Sequence, residues 1–168
     1  RNPQGLTIDK DTNLIYSSEH GPKGGDEINT IDTTKTIQNY GWPISSYGEH
    51  YGNEKKDNSK LYKIAPLFKS HKDYGFIEPT KNYTPSIGIS ELILFDMLDQ
   101  KILLASSLGN NVSEGDMSLH IYFFDKDNLK KYKSITLNER IRDMLYLEKK
   151  NLIILFLEST SSIGVIKL

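Results

Sequence analysis

Short apolar segments follow one another along the chain, separated by polar turns. They are rich in β-branched and aromatic side chains, and none keeps apolar residues at the spacing of a helix face. Turn-forming runs such as Asp9-Lys10-Asp11 and Glu148-Lys149-Lys150 lie between them. Strands that recur roughly every 8 to 14 residues are typical of a propeller or a sandwich. The pattern therefore predicts an all-β chain, with strands at 5–8, 14–18, 27–31, 86–95, 101–107, 119–125, 132–137, 141–147, 151–157 and 163–168.

The segment 33–84 breaks this pattern, because it is polar and shows little alternation. A structureless loop of this length is unusual inside a compact domain unless something holds it. Two interpretations stay open: a bound ion orders the segment, or its middle, 53–60, is disordered. We predict one β domain over 1–168 with a loop-rich insertion at about 33–84.

Composition and charge limit the classes of partner. Apolar residues make up 37% of the 168 residues, which is enough for a buried core. The chain has 21 Lys and Arg against 22 Asp and Glu, so it has no electrostatic reason to bind nucleic acid. Its densest basic stretch, 126–133, is predicted to be an exposed hairpin tip. The longest apolar run, 152–157, is too short for a membrane span. Because the sequence begins with Arg1 rather than Met, we expect it to be part of a longer precursor.

Two arginines stand at the start of a predicted strand. Arg140 and Arg142 are two positions apart, so their side chains point to the same face. Two neighbouring guanidinium groups repel each other unless an anion lies between them, and their donors match carboxylate oxygens. The pair therefore suits a polycarboxylate ligand. Neutralisation by Glu139 and Asp143, as surface ion pairs, is the alternative that spacing alone favours.

A glycine-proline step followed by two acids raises the question of a metal ion. Ca²⁺ prefers hard oxygen ligands, and Gly21-Pro22 offers carbonyl groups with one backbone donor missing. An ordinary turn followed by a strand with surface acids at Asp26 and Glu27 is the simpler interpretation. His20, just before this step, is either a proton acceptor or cofactor-facing donor, or a structural histidine.

Four strings in this order resemble the glucose/sorbosone dehydrogenase family of quinoprotein sugar dehydrogenases. They are RNPQGL at 1–6, SEHGPKGGDEIN at 18–29, NYGWPISSYGEHY at 39–51 and RIRD at 140–143. The resemblance is close over 1–51 and looser over 85–168. It implies the C-terminal portion, about three blades, of a six-bladed β-propeller, with pyrroloquinoline quinone lying across the top of the channel.

The resemblance also implies roles for individual residues. It assigns quinone contacts to Arg1, Asn2, Gln4, Ser86, Arg140 and Arg142. It makes the carbonyl groups of Gly21 and Pro22 ligands of a Ca²⁺ that bridges protein and quinone, and it makes Glu27 and the carbonyl of Tyr40 ligands of a structural Ca²⁺. Arg1 would polarise the quinone.

The implied activity is oxidation of an aldose at C1 to a lactone by a periplasmic or secreted protein. The family's proton-accepting histidine lies in the N-terminal half, outside this chain. We therefore expect no catalytic residue here and no activity from this chain alone. Because half a propeller leaves open edges, we expect the missing N-terminal half or a second chain to complete it.

Two departures from the family favour an alternative. No lysine stands at 107–110, where the family has one, and Glu91 stands where the family has glycine. A carboxylate in the pocket would repel a tricarboxylate ligand. The alternative is a non-catalytic propeller that binds a glycan or a protein partner after loss of the cofactor, and a lactonase-type hydrolase is a weaker third candidate resting on fold analogy.

Overall fold

The chain folds into three antiparallel sheets, each an up-and-down meander. This computed structural model describes residues 1–52, 59–109, 117–125 and 128–168. The first sheet contains β1 (Pro3–Ile8), β2 (Leu14–Glu19), β3 (Asp26–Asp32) and β4 (Lys81–Tyr83). The second contains β5 (Ile89–Met97), β6 (Gln100–Ser107), β7 (Ser118–Asp125) and β8 (Asn128–Thr136). The third contains β9 (Ile141–Leu147), β10 (Leu152–Leu157) and β11 (Ser162–Lys167). The all-β prediction is confirmed.

Helical structure is short. The helix α1 (Lys60–Ile64) lies in the segment between β3 and β4, and single 3-10 turns occupy Lys72–Tyr74 and Glu148–Lys150. No helix in the described ranges is long and apolar enough to cross a membrane.

Two apolar cores lie between the sheets. Because successive side chains of a strand point to opposite faces, each sheet presents alternate residues to its neighbour. Between the first and second sheets the buried side chains include Tyr16, Ile28, Ile89, Leu92, Leu103 and Tyr122. Between the second and third sheets they include Ile93, Leu104, Leu119, Ile141, Ile153 and Leu155.

The first strand of each sheet lies next to the first strand of the following sheet, and all three run in the same direction. At one end, Gly5 of β1 approaches the Ser90 carbonyl, and Ser90 Oγ donates to the Ile141 carbonyl at 2.5 Å. At the other end, the rings of Phe95 in β5 and Tyr146 in β9 are 5.0 Å apart. The segments that enter β1, β5 and β9 therefore meet at one end of the molecule.

The third sheet exposes an apolar face. Cross-strand pairing puts Leu145 beside Ile154 and Val165, and Phe156 beside Ile163, on the same side of the sheet. Leu145, Phe156, Ile163 and Val165 are each more than half exposed, at 57%, 57%, 53% and 60%. Within the described ranges β11 pairs only with β10, so its outer edge is open. An open edge beside an exposed apolar face is what an incomplete ring of sheets would have.

The strand bounds differ from the predicted ones for local reasons. β5 begins at Ile89 rather than at 86, because Gly88 adopts a left-handed conformation with φ 63° that interrupts the extended chain. The last residues of the predicted insertion form β4, which pairs with β3, and this three-residue strand was too short to predict. β8 begins at Asn128, four residues before the predicted strand. Positions 126–127 of the predicted basic hairpin tip lie outside the described residues.

The insertion between β3 and β4 is held by contacts with the first sheet. The Tyr40 hydroxyl donates to the Thr30 carbonyl at 2.8 Å, and the Thr30 and Thr80 hydroxyl groups are 2.5 Å apart. The backbone N–H of Glu49 donates to the Lys23 carbonyl at 2.8 Å. The described part of this insertion is therefore ordered by protein contacts. Most of its predicted disordered middle, 53–58, lies outside the described residues.

A buried histidine on β7 makes the fold sensitive to acid. His120 is 3% exposed, its Nδ1 lies 3.0 Å from the Ser134 hydroxyl, and its Nε2 has no partner in the described structure. Burial, with a smaller effect of Lys131, lowers the pKa of His120 from 6.5 to about 4. The native state thus stays neutral between these values while the unfolded state takes up a proton, so stability falls as the pH falls through this window.

We expect the complete protein to lose about 2 kcal/mol of unfolding free energy through His120 between about pH 7.5 and pH 5. A His120→Gln variant should lack this part of the pH dependence, because glutamine does not titrate. Urea unfolding of both proteins at the two pH values measures the difference. Identical pH dependence in the two proteins would show that His120 is not kept neutral by the fold.

Candidate functional site

A small cavity opens where β1, β2 and the insertion meet. Its volume is about 30 Å³, which is room for one ion or water molecule. All four residues predicted to bind metal line this cavity, together with Arg1. Its walls are formed by Arg1, Glu19, His20, Gly21, Pro22, Gly25, Glu27, Tyr40, Trp42, Ser45 and Ser46. The family resemblance assigns Gly21 and Pro22 to one Ca²⁺ and Glu27 and Tyr40 to another, and all four line this one cavity.

Two carboxylates face each other at the end of the β2–β3 pair. Glu19 and Glu27 are cross-strand partners, and the Asn29 side-chain amide donates to both, at 3.2 and 3.5 Å. Burial raises the pKa of Glu27 to about 7, and the charges of Glu19 and Glu78 add to this effect. The fully buried His71 ring lies 3.6 Å from Glu27 and 3.5 Å from Glu78. A cation in the cavity would relieve the repulsion between these carboxylates.

Residues with oxygen atoms, the ligands that Ca²⁺ prefers, are prominent in the lining of this cavity. No cluster of three or more His, Asp or Glu side chains able to hold a metal occurs in the described ranges. The lining residues instead include the acids Glu19 and Glu27 and the serines Ser45 and Ser46. Such a mixture of hard oxygens in irregular loops is typical of Ca²⁺ sites. Glu27 and the carbonyl groups of Gly21, Pro22 and Tyr40 are the residues that would hold the ion.

Glycines bring the walls of this cavity together. A Cβ on Gly25 would lie 2.2 Å from the Gly48 nitrogen, and one on Gly21 would lie 2.1 Å from the Gly25 carbonyl oxygen. Gly25 also has a φ of 72°, which favours glycine. The turn after β2 can therefore pack directly against the backbone of the insertion only because these positions lack side chains.

Arg1 is fixed from several sides at the mouth of the cavity. Its Nη1 donates to the carbonyl groups of His20 at 2.9 Å and Gly21 at 2.8 Å, and its guanidinium carbon lies 4.9 Å from the centre of the Trp42 ring. This cation–π contact and the two hydrogen bonds hold a positive charge in one place. The Gly21 carbonyl thus already accepts a hydrogen bond from Arg1.

Asn2, Gln4 and His20 lie beside Arg1. The Gln4 amide donates to Asn2 Oδ1 at 3.1 Å on the exposed surface, and the His20 backbone N–H donates to the Asn2 carbonyl at 3.0 Å. The His20 ring is partly buried, and its Nε2 has no hydrogen-bond partner within the described chain.

Asp26 connects the cavity to the segment that enters β5. One carboxylate oxygen of this buried residue accepts hydrogen bonds from the Gly21 N–H at 3.1 Å and the Ser86 hydroxyl at 2.8 Å. Its other oxygen accepts from the Ile89 N–H at 3.0 Å. Ser86 is therefore held next to the turn that carries the predicted metal ligands.

Arg140 and Arg142 lie further along the same end of the molecule. Arg140 Nη1 donates to the Leu108 carbonyl, and the Leu108 N–H donates to the Gly88 carbonyl at 2.7 Å in the segment that enters β5. Both arginines contact Glu158, which follows β10. The anion between the two guanidinium groups is thus the Glu158 carboxylate, and not Glu139 or Asp143 as the alternative interpretation had it. Glu139 instead accepts hydrogen bonds from the backbone N–H groups of Arg140 and Ser159.

Glu91, the acid that stands where the family resemblance expects glycine, lies between β1 and β5. Its Oε1 accepts hydrogen bonds from the backbone N–H groups of Leu6 at 3.1 Å and Leu92 at 2.8 Å. Burial raises the pKa of this half-buried carboxyl, and the charge of Asp143 raises it further. Glu91 therefore faces the contact between β1 and β5, where backbone donors partly compensate its charge.

The structure thus brings every sequence-predicted site residue to one end of the molecule. The residues that the sequence did not single out are Glu19, Trp42, Ser45, Ser46, His71 and Glu158. The register of the β2–β3 hairpin, which pairs Glu19 with Glu27, would have indicated Glu19. Glu158 was harder to find, because it follows β10 and contacts arginines at the start of β9.

Known proteins have sequences similar to this one. Residues 1–163 match the family model described as Glucose / Sorbosone dehydrogenase. The chain belongs to this family. Among curated relatives, the aldose sugar dehydrogenase YliI of Escherichia coli (strain K12) is 43% identical over 60 residues, which are 36% of this chain and 15% of that protein. The uncharacterized protein slr1608 of Synechocystis sp. is 35% identical over 96 residues, which are 57% of this chain and 20% of that protein.

Solved structures share the fold. The apo-form of the soluble aldose sugar dehydrogenase (Asd) of Escherichia coli superposes with a TM-score of 0.75 at 24% identity, over 100% of this chain and 45% of that one. A glucose dehydrogenase gives a TM-score of 0.72 at 24% identity, over 98% and 44%. The chain therefore spans less than half the length of these structures. The predicted fold, about three blades of a six-bladed β-propeller, is confirmed.

Proposed function

We propose that this chain is part of a pyrroloquinoline-quinone- and Ca²⁺-dependent aldose dehydrogenase that oxidises a sugar at C1 to a lactone. The observation that supports this most is the position of Arg1, Ser86 and Arg140, which precede the three neighbouring strands β1, β5 and β9, with Arg142 at the start of β9. Three guanidinium groups at one end of an apolar scaffold suit a flat ligand with several carboxylates. The name of the Escherichia coli relative agrees with this proposal.

When bound, the quinone would accept the hydride from the sugar, and the protein would position and polarise it. Arg140 and Arg142 would bind its carboxylates. Arg1 would provide a fixed positive charge, because the His20 and Gly21 carbonyls and the Trp42 ring leave its guanidinium little freedom. The Ca²⁺ would be held by Glu27 and the carbonyl groups of Gly21, Pro22 and Tyr40.

The proton acceptor would come from the rest of the protein. We propose that the missing part, or a second chain, covers the apolar face of the third sheet and completes the ring. By family resemblance, the location would be the periplasm or the outside of the cell.

The direct test is calorimetric titration of the quinone into the complete protein with Ca²⁺ present, followed by a dye-linked assay of sugar oxidation. We expect binding, and an Arg142→Ala variant that binds about 10- to 100-fold more weakly, because each charge-assisted hydrogen bond contributes about 1.5–3 kcal/mol. Lys130→Ala is the matched control, since Lys130 pairs with Asp125 on the exposed outer strand.

A complete protein that neither binds the quinone nor oxidises sugars would reject this proposal. That result would favour the second candidate, a non-catalytic propeller that binds a glycan or a protein partner. The half-buried Glu91 carboxylate between β1 and β5 is the observation that motivates this candidate.

A further inference from the structure

Glu158 joins the two arginines through both of its oxygens. Arg140 Nε lies 3.2 Å from Oε1, and Arg142 Nε lies 2.7 Å from Oε2. Arg142 Nη2 also contacts Oε2. These hydrogen bonds, first from Arg142 and then from Arg140, hold the pKa of Glu158 below its usual value. The carboxylate is therefore charged at neutral pH and forms one unit with the two guanidinium groups.

The backbone fixes Glu158 in this place. Its N–H donates to the Arg140 carbonyl at 2.8 Å. The next N–H, of Ser159, donates to Glu139 Oε1 at 2.7 Å, and the same oxygen accepts from the Arg140 N–H at 3.0 Å. The turn after β10 is thus tied to the segment before β9, so the backbone of Glu158 is held beside the two arginines.

The contacts with Glu158 use one side of each guanidinium group. Glu158 takes the Nε donors, and the Leu108 carbonyl takes Nη1 of Arg140. Among the described residues, Nη2 of Arg140 and Nη1 of Arg142 have no hydrogen-bond partner, and the Arg142 side chain is 50% exposed. In the described part of the chain, donors on both arginines are therefore left for a ligand while other donors of the same groups are held by Glu158.

We infer that Glu158 is a positioning residue for carboxylate binding: it holds Arg140 and Arg142 by their Nε sides and presents their free Nη donors to an aromatic polycarboxylate. This inference rests on the proposed function for the identity of the ligand. Prior alignment of two long side chains removes most of the entropy cost of ordering them when the ligand binds. Glu158 also neutralises one of the two positive charges. If it merely competed with the ligand for the arginines, its replacement would raise the affinity for the ligand instead of lowering it.

The test uses the complete protein and two probes, pyrroloquinoline quinone and trimesate, a simple benzene tricarboxylate, each titrated by calorimetry. In Glu158→Gln the amide nitrogen cannot accept a hydrogen bond, so one arginine is released. We expect affinity for both probes to fall about tenfold in Glu158→Gln and at least as much in Glu158→Ala. Glu158→Asp keeps the charge and should recover part of the loss. Asp125→Asn, which breaks an exposed ion pair with Lys130, is the control and should change nothing.

Each outcome is decisive. Weaker binding in the Gln and Ala variants with partial recovery in Asp, at unchanged melting temperature, supports a positioning role. Unchanged or tighter binding in these variants would overturn it. If Glu158→Gln fails to fold, the comparison of Glu158→Asp with the wild type decides, with intermediate loss expected. Trimesate binding that depends on Glu158 without quinone binding would reject the proposed function and leave the inference standing. No binding of either probe would overturn both.

Discussion

Replacing Gly25 with alanine in the complete protein is expected to lower the unfolding free energy by more than about 3 kcal/mol and to weaken Ca²⁺ binding. The new Cβ would lie 2.2 Å from the Gly48 nitrogen and 2.8 Å from the Tyr47 carbonyl carbon. Both are backbone atoms that cannot rotate away. The insertion would have to move off the turn after β2, which would separate Tyr40 from Gly21 and Pro22 across the cavity.

Gly75→Ala is the matched control for this prediction. Gly75 has nearly the same backbone conformation, with φ 79° against 72° for Gly25, but a Cβ added there would have no atom within 4 Å among the described residues. Its substitution should lower the unfolding free energy only by the strain of alanine in a left-handed conformation, about 1–2 kcal/mol. Urea unfolding with and without Ca²⁺ measures both variants. Equal losses in the two would mean that the contact between Gly25 and Gly48 does not hold the cavity together.

Placing an aspartate at Val165 should destabilise the complete protein by about 3 kcal/mol or more. Val165 is 60% exposed in this chain and shares a face with Leu145 and Ile154. If the remainder of the protein covers this face, the substitution places a charge in an apolar contact without a partner. The melting temperature or the urea midpoint of the Val165→Asp variant gives the answer.

Leu98→Asp provides the comparison. Leu98 is 87% exposed in the turn between β5 and β6, with a φ of 50° that aspartate tolerates better than leucine. We expect a change within about 0.5 kcal/mol. A Val165→Asp variant as stable as Leu98→Asp would show that the third sheet faces solvent in the complete protein, and the proposed closure of the ring would then be wrong.

Much of this fold could be predicted from the sequence, because strand content depends on local alternation and turn residues. The common face of Arg140 and Arg142 followed from their two-residue spacing alone. The Glu158 contact did not, since Glu158 is 16 residues from Arg142 and meets it only through the register between β9 and β10, which shifts between Phe156 and Leu157. Such a bulge depends on tertiary packing rather than on local sequence.

In the candidate site, too, the sequence predicted the chemistry of the residues but not how they come together. Gly21-Pro22 and Glu27 were recognisable as oxygen donors by their chemistry. Their convergence on one cavity was not, because it requires the insertion to return over the first sheet and bring Tyr40 next to them. The insertion has no periodic pattern from which that path could be derived, and its order comes from contacts such as those of the buried His71.

Under the proposed function, the shared direction of β1, β5 and β9 indicates where in the remaining sheets a proton acceptor would lie. In each further sheet that continues the ring, the segment just before the first strand would lie at this same end of the molecule. Under the proposed function, a histidine able to reach the sugar would come from one of these entry segments or from a turn between the second and third strands of a sheet, like the turn that carries Gly21 and Pro22. A histidine on the fourth strand of a sheet would lie about 14 Å from the first strand, which is three strand spacings, and would be too far away to contact the sugar.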